Sequence, residues 1–369
     1  MNFHFSEEQS ALRELAREIL TGEVSQERLK AVEGAGDFFD RDLWSRLAEA
    51  NLLGLAVPEA QGGMGMGFFE VCLLLHEVGR TVAPVPAMTS LVAGLAIAKF
   101  GTDAQQHRWL ARLAKGELIL TTGFLEAAPV DARREGERWV LDGGSALVPS
   151  ARVAERVLVA GRAASGDEPV CLFLVDPTAA GVSLRRQQTS RKEPVFEFSL
   201  SGVSVSDADV LRGEALDEWL HQHMLVAISA TQVGVSERAL EITTAFLKER
   251  EQFGAPLGAL SPVQHRCADC YIALDSMRWV MWTAAWKLAE GRAAKRDAWV
   301  AKFFAADAGS RIATATQHLH GGMGVDLDYP IHRYFLWSKT LELALGAATP
   351  MLVRLGRDMA RVGPQELHE

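Results

Sequence analysis

Apolar residues recur every three or four positions over most of the first 115 residues, and this period predicts helices. Leu12, Leu15 and Ile19 follow the spacing after Ser6, whose hydroxyl and acidic successors are typical of a helix N-terminus. The same period predicts helices around Leu43, Trp44, Leu47 and Ala48, and at 69–78, 87–100 and 104–115. Residues 1–117 are therefore predicted to be a helical domain, with a glycine-rich turn at 58–67.

From about residue 118 the pattern changes to short runs of Val and Leu separated by Gly, Pro, Asp and Ser. Such runs predict antiparallel β-strands. They cover residues 118–122, 138–141, 156–160, 170–175, 182–186 and 195–205. The segment 125–136 is mostly polar or small and is predicted to be an exposed loop. Residues 118–213 are thus predicted to be a β domain.

Helical spacing returns near residue 216 and continues to the end of the chain. Four long helices are predicted at 217–249, 262–290, 293–320 and 334–361. Long helices joined by short links favour an antiparallel bundle. The predicted fold class is α+β, with an N-terminal helical domain (1–117), a middle antiparallel β domain (118–213) and a C-terminal four-helix bundle (214–369).

The composition of the chain argues against several classes of function and location. The net charge of −9 argues against a nucleic-acid partner, because phosphate binding needs a basic surface. No apolar run approaches the ~20 residues that span a bilayer, and the first residues do not resemble a secretory signal. Four cysteines are too few for a disulfide framework, so we expect a cytoplasmic protein. Cys267 and Cys270 form a C-x-x-C inside a predicted helix and are interpreted as core or helix-face cysteines rather than as a redox or zinc motif. We expect no metal site.

Two stretches stand out as candidates for ligand binding. The first, 316–333, reads TQHLHGGMGVDLDYPIHR, and a helix ends there at Gly321 and Gly322. A phosphate or ring edge could lie against this glycine backbone, although a helix cap and a loop are the simpler interpretation. The second, 248–269, reads KEREQFGAPLGALSPVQHRCAD. Arg250 suits a pyrophosphate and Phe253 offers an apolar face, but an arginine beside a turn is usually solvated.

Together these stretches resemble the acyl-CoA dehydrogenase family. In that family an Arg-x-x-Phe-Gly-x-Pro segment and a Gln-x-x-Gly-Gly-x-Gly segment bind the ADP half of FAD, usually across a subunit interface. The resemblance covers the whole chain, including the loop VPEAQGGMGMG and the order of the three domains. It implies FAD as cofactor. The residues that match the nucleotide-binding positions are Arg250, Gln252, Phe253, Gly321 and Gly322, and His318 stands where the family has Gln.

The positions that contact the flavin ring depart further from the family pattern. The Thr-Glu-Pro-Gly loop of the family corresponds to 123–128, where Glu126 matches and Leu125 replaces Thr. The Trp-Ile-Thr segment corresponds to Leu147, Val148 and Pro149, and proline has neither an N–H group nor a hydroxyl.

The catalytic base of the family also has no counterpart. These enzymes remove the α-proton of an acyl thioester with a carboxylate, while the β-hydrogen leaves as hydride to the flavin. The usual base position is Leu345 here, and the alternative position falls near Met224. Glu342, one helical turn before Leu345, is a weak substitute that is more simply a surface residue. The catalytic residue therefore stays unknown.

Three hypotheses follow from the resemblance. In the first, the chain is the less catalytic subunit of a heteromeric acyl-CoA dehydrogenase, and a partner supplies the ring pocket and the base. Its substrate would be an acyl-CoA, with a bulky or steroid side-chain acyl group, and an electron-transfer acceptor would reoxidise the flavin. In the second, it is a homo-oligomeric dehydrogenase that uses Glu342 or Glu126. In the third, it is a non-catalytic scaffold of the same fold.

Overall fold

The computed structural model describes residues 4–123, 129–163 and 169–362. Its helices are α1 (Glu7–Glu23), α2 (Gln26–Ala35), α3 (Arg41–Glu49), α4 (Phe68–Thr81), α5 (Ala87–Phe100), α6 (Asp103–Ala114), α7 (Leu216–Glu249), α8 (Ser261–Ala289), α9 (Lys295–Leu319), α10 (Ile331–Leu343) and α11 (Ala348–Val362). Its strands are β1 (Leu120–Thr122), β2 (Val130–Glu135), β3 (Arg138–Pro149), β4 (Arg156–Ala163), β5 (Cys171–Val175), β6 (Val182–Gln187), β7 (Val195–Ser206), β8 (Val210–Leu211), β9 (Glu251–Gln252) and β10 (Ala255–Pro256).

The chain divides into two compact units. The first consists of Met1–Leu74 and Pro84–Met224, and the second consists of Leu75–Ala83 and Leu225–Glu369. The first unit contains α1–α3, α5, α6 and strands β1–β8, and the second contains α8–α11. The domain boundaries at 117 and 213 stay a prediction.

Capping explains where the first helices begin. The Ser6 hydroxyl accepts from the Gln9 N–H, and the Gln9 side chain accepts from the Ser6 N–H, which completes a capping box. Asp40 caps α3 through the Leu43 N–H at 2.9 Å and also binds Arg28. Burial alone would raise the pKa of Asp40, but these bonds outweigh it and lower the pKa. The predicted N-terminal helices are confirmed, while α2 was not predicted.

Strands β1–β8 form one sheet in the order β6-β7-β3-β2-β4-β5-β8, with β1 beside β4. Most neighbours are antiparallel, but β1 and β2 both run parallel to β4, so the sheet is mixed rather than purely antiparallel. Side chains alternate with a period of two in either strand direction, so the pattern could not distinguish them. The core of the sheet includes Trp139 and Phe173, whose rings meet edge to face at 5.5 Å.

The predicted loop at 125–136 was wrong over its second half. Val130–Glu135 is β2, which pairs with β3 and β4. Only Val130 and Ala132 face the core, and the other four residues of the strand are exposed. The apolar alternation was therefore too short to be recognised against the polar outer face.

In the C-terminal part of the chain the predicted helices match α7, α8 and α9 within a few residues. The helix predicted for 334–361 is instead two helices, α10 and α11, separated by a turn at Ala344, Leu345 and Gly346. Leu345 and Gly346 adopt left-handed φ values of 54° and 101°, which no helix accommodates. Among the helices of the described residues, none is both long enough and apolar enough to cross a bilayer.

Candidate functional site

The segment after α7 forms a tight hairpin. Strands β9 and β10 pair antiparallel, with Gln252 opposite Ala255, so Phe253 and Gly254 make a two-residue turn. Both have positive φ, 58° and 81°, as a type I′ turn requires. Phe253 is 90% exposed at the tip. A large apolar ring that is both strained and solvated indicates a side chain displayed for contact.

Arg250 lies at the base of this hairpin. Its N–H donates to the Phe246 carbonyl at 2.8 Å, and its carbonyl accepts from the Leu257 N–H at 2.8 Å. The backbone is therefore fixed on both sides, whereas the side chain is exposed. Within the described part of the chain its guanidinium has no ion-pair partner. An exposed, unpaired arginine on a rigid backbone is available for an anionic ligand. Gln252 is also exposed, and its amide donates to the Glu251 carbonyl at 2.8 Å.

The glycine loop, Gly321–Val325, follows α9 as a short 3-10 helix. Gly321 has a φ of 57°, and a Cβ at either Gly321 or Gly322 would meet nothing within 4 Å, so this backbone is open to a ligand. Gln317 donates from its amide to the Gly324 carbonyl at 3.1 Å and thus closes the loop from inside. His318 is exposed beside it. Gln317 therefore cannot replace the glutamine for which His318 is substituted.

Three aromatic rings join the hairpin to the glycine loop. The Phe246 ring stacks on His320 with centroids 4.5 Å apart, and Tyr329 lies 5.2 Å from His320 and 6.1 Å from Phe246. Phe246 is one turn before Arg250, and His320 directly precedes Gly321. The structure thus brings the two predicted segments together. This ring cluster of Phe246, His320 and Tyr329 was not predicted, although a histidine before a glycine pair was a visible signal.

The predicted base position is buried and apolar. Leu345 is 2% exposed and adopts the left-handed conformation in the turn between α10 and α11. The fully buried Lys302 donates from its ammonium to the carbonyls of Glu342 at 2.9 Å and Gly346 at 2.8 Å, which holds this turn closed. The alternative base position, Met224, is also buried. Neither position presents an acid.

The side chain of Glu342 is occupied by an ion pair. Its carboxylate accepts from the Lys339 ammonium at 2.9 Å, and the same ammonium donates to the Ser310 hydroxyl at 2.5 Å. A general base must be free to reach the proton that it removes, and this carboxylate is held by a lysine on its own helix. The geometry therefore gives Glu342 a structural partner, and its proposed role as a substitute base stays a prediction.

The ring-contacting positions of the β domain are only partly described. Leu125 and Glu126 lie outside the described residues. Leu147 is 44% exposed with a φ of 59°, at a register shift between β3 and β7. Val148 is buried, and the Pro149 carbonyl accepts from the Thr121 hydroxyl at 2.7 Å. The segment that should contact a flavin ring therefore offers an apolar side chain and no free backbone donor at Pro149.

A buried charged cluster in the second unit was also missed. The ring nitrogens of His76 lie 3.1 Å from the Glu77 carboxylate and 3.2 Å from that of Glu237. Arg80 binds Glu237 and Glu241. Burial would raise the pKa of Glu237, but the His76 hydrogen bond and the nearby arginines hold it well below its usual range. The signal was a run of charges inside an otherwise apolar α4.

The cysteine pair does not form a reactive site. Cys267 and Cys270 lie one turn apart on α8 as free thiols. Burial raises the pKa of Cys267 and raises that of Cys270 to about 11, which disfavours the reactive thiolate. Among the residues for which the structure gives a position, no group of His, Cys, Asp and Glu could hold a metal ion.

Comparison with protein families gives two matches. Residues 6–117 match the acyl-CoA dehydrogenase N-terminal domain, and residues 216–360 match the acyl-CoA dehydrogenase C-terminal domain. The chain is 36% identical to an acyl-CoA dehydrogenase of Mycobacterium tuberculosis, FadE27, over 98% of this chain and 99% of that protein.

Two solved heteromers are also similar. A chain of the Tcur3481-Tcur3483 steroid ACAD G363A variant is 42% identical, with a TM-score of 0.91 over 96% of this chain and 98% of that chain. A chain of the ChsE4-ChsE5 complex from Mycobacterium tuberculosis is 35% identical, with a TM-score of 0.94 over 99% and 100%. The predicted fold, family and enzyme class are confirmed.

Proposed function

The chain belongs to the acyl-CoA dehydrogenase family, whose members are oxidoreductases acting on CH–CH bonds, and from this premise we propose that it is the base-free subunit of a heteromeric acyl-CoA dehydrogenase. It supplies part of an FAD site, and a related partner subunit supplies the flavin-ring pocket and the carboxylate. The single observation that supports the proposal is the contrast between exposed groups at the predicted nucleotide segments, Arg250, Phe253 and the open Gly321–Gly322 backbone, and a buried leucine at the predicted base position.

Members of the family bind FAD, and the residues of this chain fit the ADP half of that cofactor. Arg250 would bind the pyrophosphate, Phe253 would cover an apolar face, and Gly321 and Gly322 would allow close backbone approach. Gln252 and His318 would donate further hydrogen bonds. Bound FAD supplies the acceptor for the hydride that leaves the acyl β-carbon.

The proton step belongs to the partner in this proposal. Removal of the α-proton needs a carboxylate that contacts the substrate. Leu345 and Met224 have no proton-accepting group, and Glu342 is held by Lys339. The residues of this chain therefore bind and orient, and the partner's acid moves the proton.

The substrate class follows from the similar heteromers. One of them, Tcur3481-Tcur3483, is a steroid acyl-CoA dehydrogenase, and the proposed substrate here is accordingly a CoA thioester with a bulky or steroid side-chain acyl group. We also propose an electron-transferring acceptor for the reduced flavin and a cytoplasmic location.

The decisive experiment compares the chain alone with the chain coexpressed with a partner dehydrogenase subunit that has an acid at the base position. We expect the coexpressed pair to copurify with flavin absorbance and to reduce a dye with acyl-CoA, and the chain alone to do neither. Strong dye reduction by the chain alone would contradict the proposal.

The homo-oligomeric alternative is tested in the chain purified alone by Glu342→Gln. If Glu342 were the base, the chain alone would be active, and this variant would retain flavin and lose turnover. The matched control is Glu290→Gln at the exposed end of α8. Equal activity of both variants of the chain alone excludes Glu342. The scaffold alternative holds only if neither the chain nor the complex contains flavin or binds a CoA ester.

A further inference from the structure

We propose that His320 is a positioning residue that sets the spacing between Arg250 and the Gly321–Gly322 backbone through the ring cluster, and this rests on the proposed function. His320 is 3% exposed, and its Nδ1–H donates to the Thr316 carbonyl at 2.7 Å, which fixes the last turn of α9. Its ring stacks on Phe246 with the planes 29° apart. The imidazole therefore ties α9 to the end of α7.

Phe246 and Tyr329, the other members of the ring cluster, lie at the ends of the two segments that we propose contact the nucleotide. The Phe246 carbonyl accepts from the Arg250 N–H, so a shift of Phe246 moves the base of the hairpin. Tyr329 closes the far end of the segment that begins at Gly321, and its carbonyl accepts from the Nδ1–H of His332 at 2.7 Å. The contacts among the three rings thus constrain the backbone at Phe246, at His320 and at Tyr329.

His320 itself does not contact a ligand in this arrangement. Its Nε2 is buried away from solvent and has no hydrogen-bond partner among the described residues. Because Nδ1 carries the proton that bonds Thr316, Nε2 is an unused acceptor, and the ring is neutral. A buried acceptor without a donor is unfavourable, so packing rather than hydrogen bonding explains why a ring is held here. We therefore expect phenylalanine at position 320 to position the two segments as His320 does.

The test measures FAD affinity of the heteromer, stripped of flavin and titrated with FAD, well below its melting temperature. We expect His320→Ala to weaken binding about tenfold and His320→Phe to stay within about threefold of the parent, because the phenyl ring restores the stack. His107→Ala, on an exposed part of α6, is the control and should leave affinity unchanged.

A double-mutant cycle with Arg250→Ala separates positioning from general loosening of the fold. If His320 acts through Arg250, then His320→Ala should weaken FAD binding little further once Arg250 is replaced. Full additivity, or unchanged affinity in His320→Ala with only a lower melting temperature, would overturn the inference and leave the proposed function standing. A parent heteromer that binds no FAD would instead overturn the proposed function.

Discussion

Two turns of the second unit contain a large apolar residue in the same strained backbone conformation and use it in opposite ways. Phe253 has a φ of 58° and is 90% exposed, whereas Leu345 has a φ of 54° and is 2% exposed. A left-handed non-glycine residue costs about 1–2 kcal/mol, so both turns are held by their surroundings. At Phe253 the strained turn places the ring in solvent, where we propose that it contacts FAD. At Leu345, the predicted base position, an apolar side chain fills the turn.

The comparison also explains why the two regions differ in chemistry. The hairpin and the glycine loop expose Arg250, His318 and two open glycines, which are the groups that we propose contact FAD. The turn at Leu345 is closed by Lys302, whose ammonium donates hydrogen bonds to the backbone carbonyls of Glu342 and Gly346. The hairpin and the glycine loop therefore have polar groups at the surface, whereas the turn at Leu345 has a buried apolar side chain and closed backbone.

The largest expected effect is that of placing a carboxylate at the buried turn. Leu345→Glu should reduce the free energy of unfolding of the isolated chain by about 3 kcal/mol, because a buried polar group without a partner is unfavourable. Urea unfolding at pH 7 measures this change, and Leu345→Met is the volume-matched control. A variant as stable as the parent would mean that the turn is open to water, and the contrast with Phe253 would fail.

The next effect concerns the exposed region. Arg250→Ala should weaken FAD binding by the heteromer about tenfold or more, because a hydrogen bond to a charged group contributes about 1.5–3 kcal/mol. The unfolding free energy of the isolated chain should change by less than about 0.5 kcal/mol, as for other surface substitutions. Flavin titration and urea unfolding give the two values. Arg357→Ala, also exposed but on α11, should change neither.

Acid should affect the nucleotide-binding region and spare the turn at Leu345. Burial lowers the pKa of His320 below its ordinary 6.5, so the folded state binds fewer protons there than the unfolded state. The stabilisation is complete above pH 6.5 and is lost as pH falls toward the lowered pKa. The protection factors of the Gly321–Val325 amides, which correct for the intrinsic pH dependence of exchange, should therefore decrease below pH 6.5, and His320→Phe should remove this decrease.

A local measurement is needed for that prediction because another histidine titrates in the first unit. Burial lowers the pKa of His223 to about 3, so global stability also declines as pH falls from 6.5 to 3. If acid reduces the protection of the Gly321–Val325 amides equally in His320→Phe, the effect comes from His223 or from the carboxylates.

The smallest effect compares the two neighbouring glycines. Gly321→Ala should lower the unfolding free energy by about 1 kcal/mol because of its left-handed φ, and Gly322→Ala should leave it nearly unchanged. Thermal unfolding of the isolated chain distinguishes them. If both variants also reduce FAD binding by the heteromer, the ligand lies against this backbone, and undiminished binding in both would exclude it.

Much of the architecture was readable because local patterns specify local structure. Ser6, the helical period of α7–α9 and the Tyr329-Pro330 break placed most helices within a few residues. The strand β2 was missed because only Val130 and Ala132 mark its buried face. The break at Leu345 was missed because Leu and Ala favour helix, and only Gly346 hinted at a turn.

The sequence by itself determined which groups are present: the arginine, phenylalanine and glycine pair of the nucleotide segments, and the missing acid at residues 224 and 345. Only the tertiary structure decided how these groups are placed. It joined the hairpin and the glycine loop through Phe246, His320 and Tyr329, and it buried Leu345 in a turn that Lys302 closes. The physical reason is that residue chemistry and short-range periodicity are written locally, whereas burial, ring stacking and many polar contacts depend on residues tens of positions apart that meet only in the folded chain.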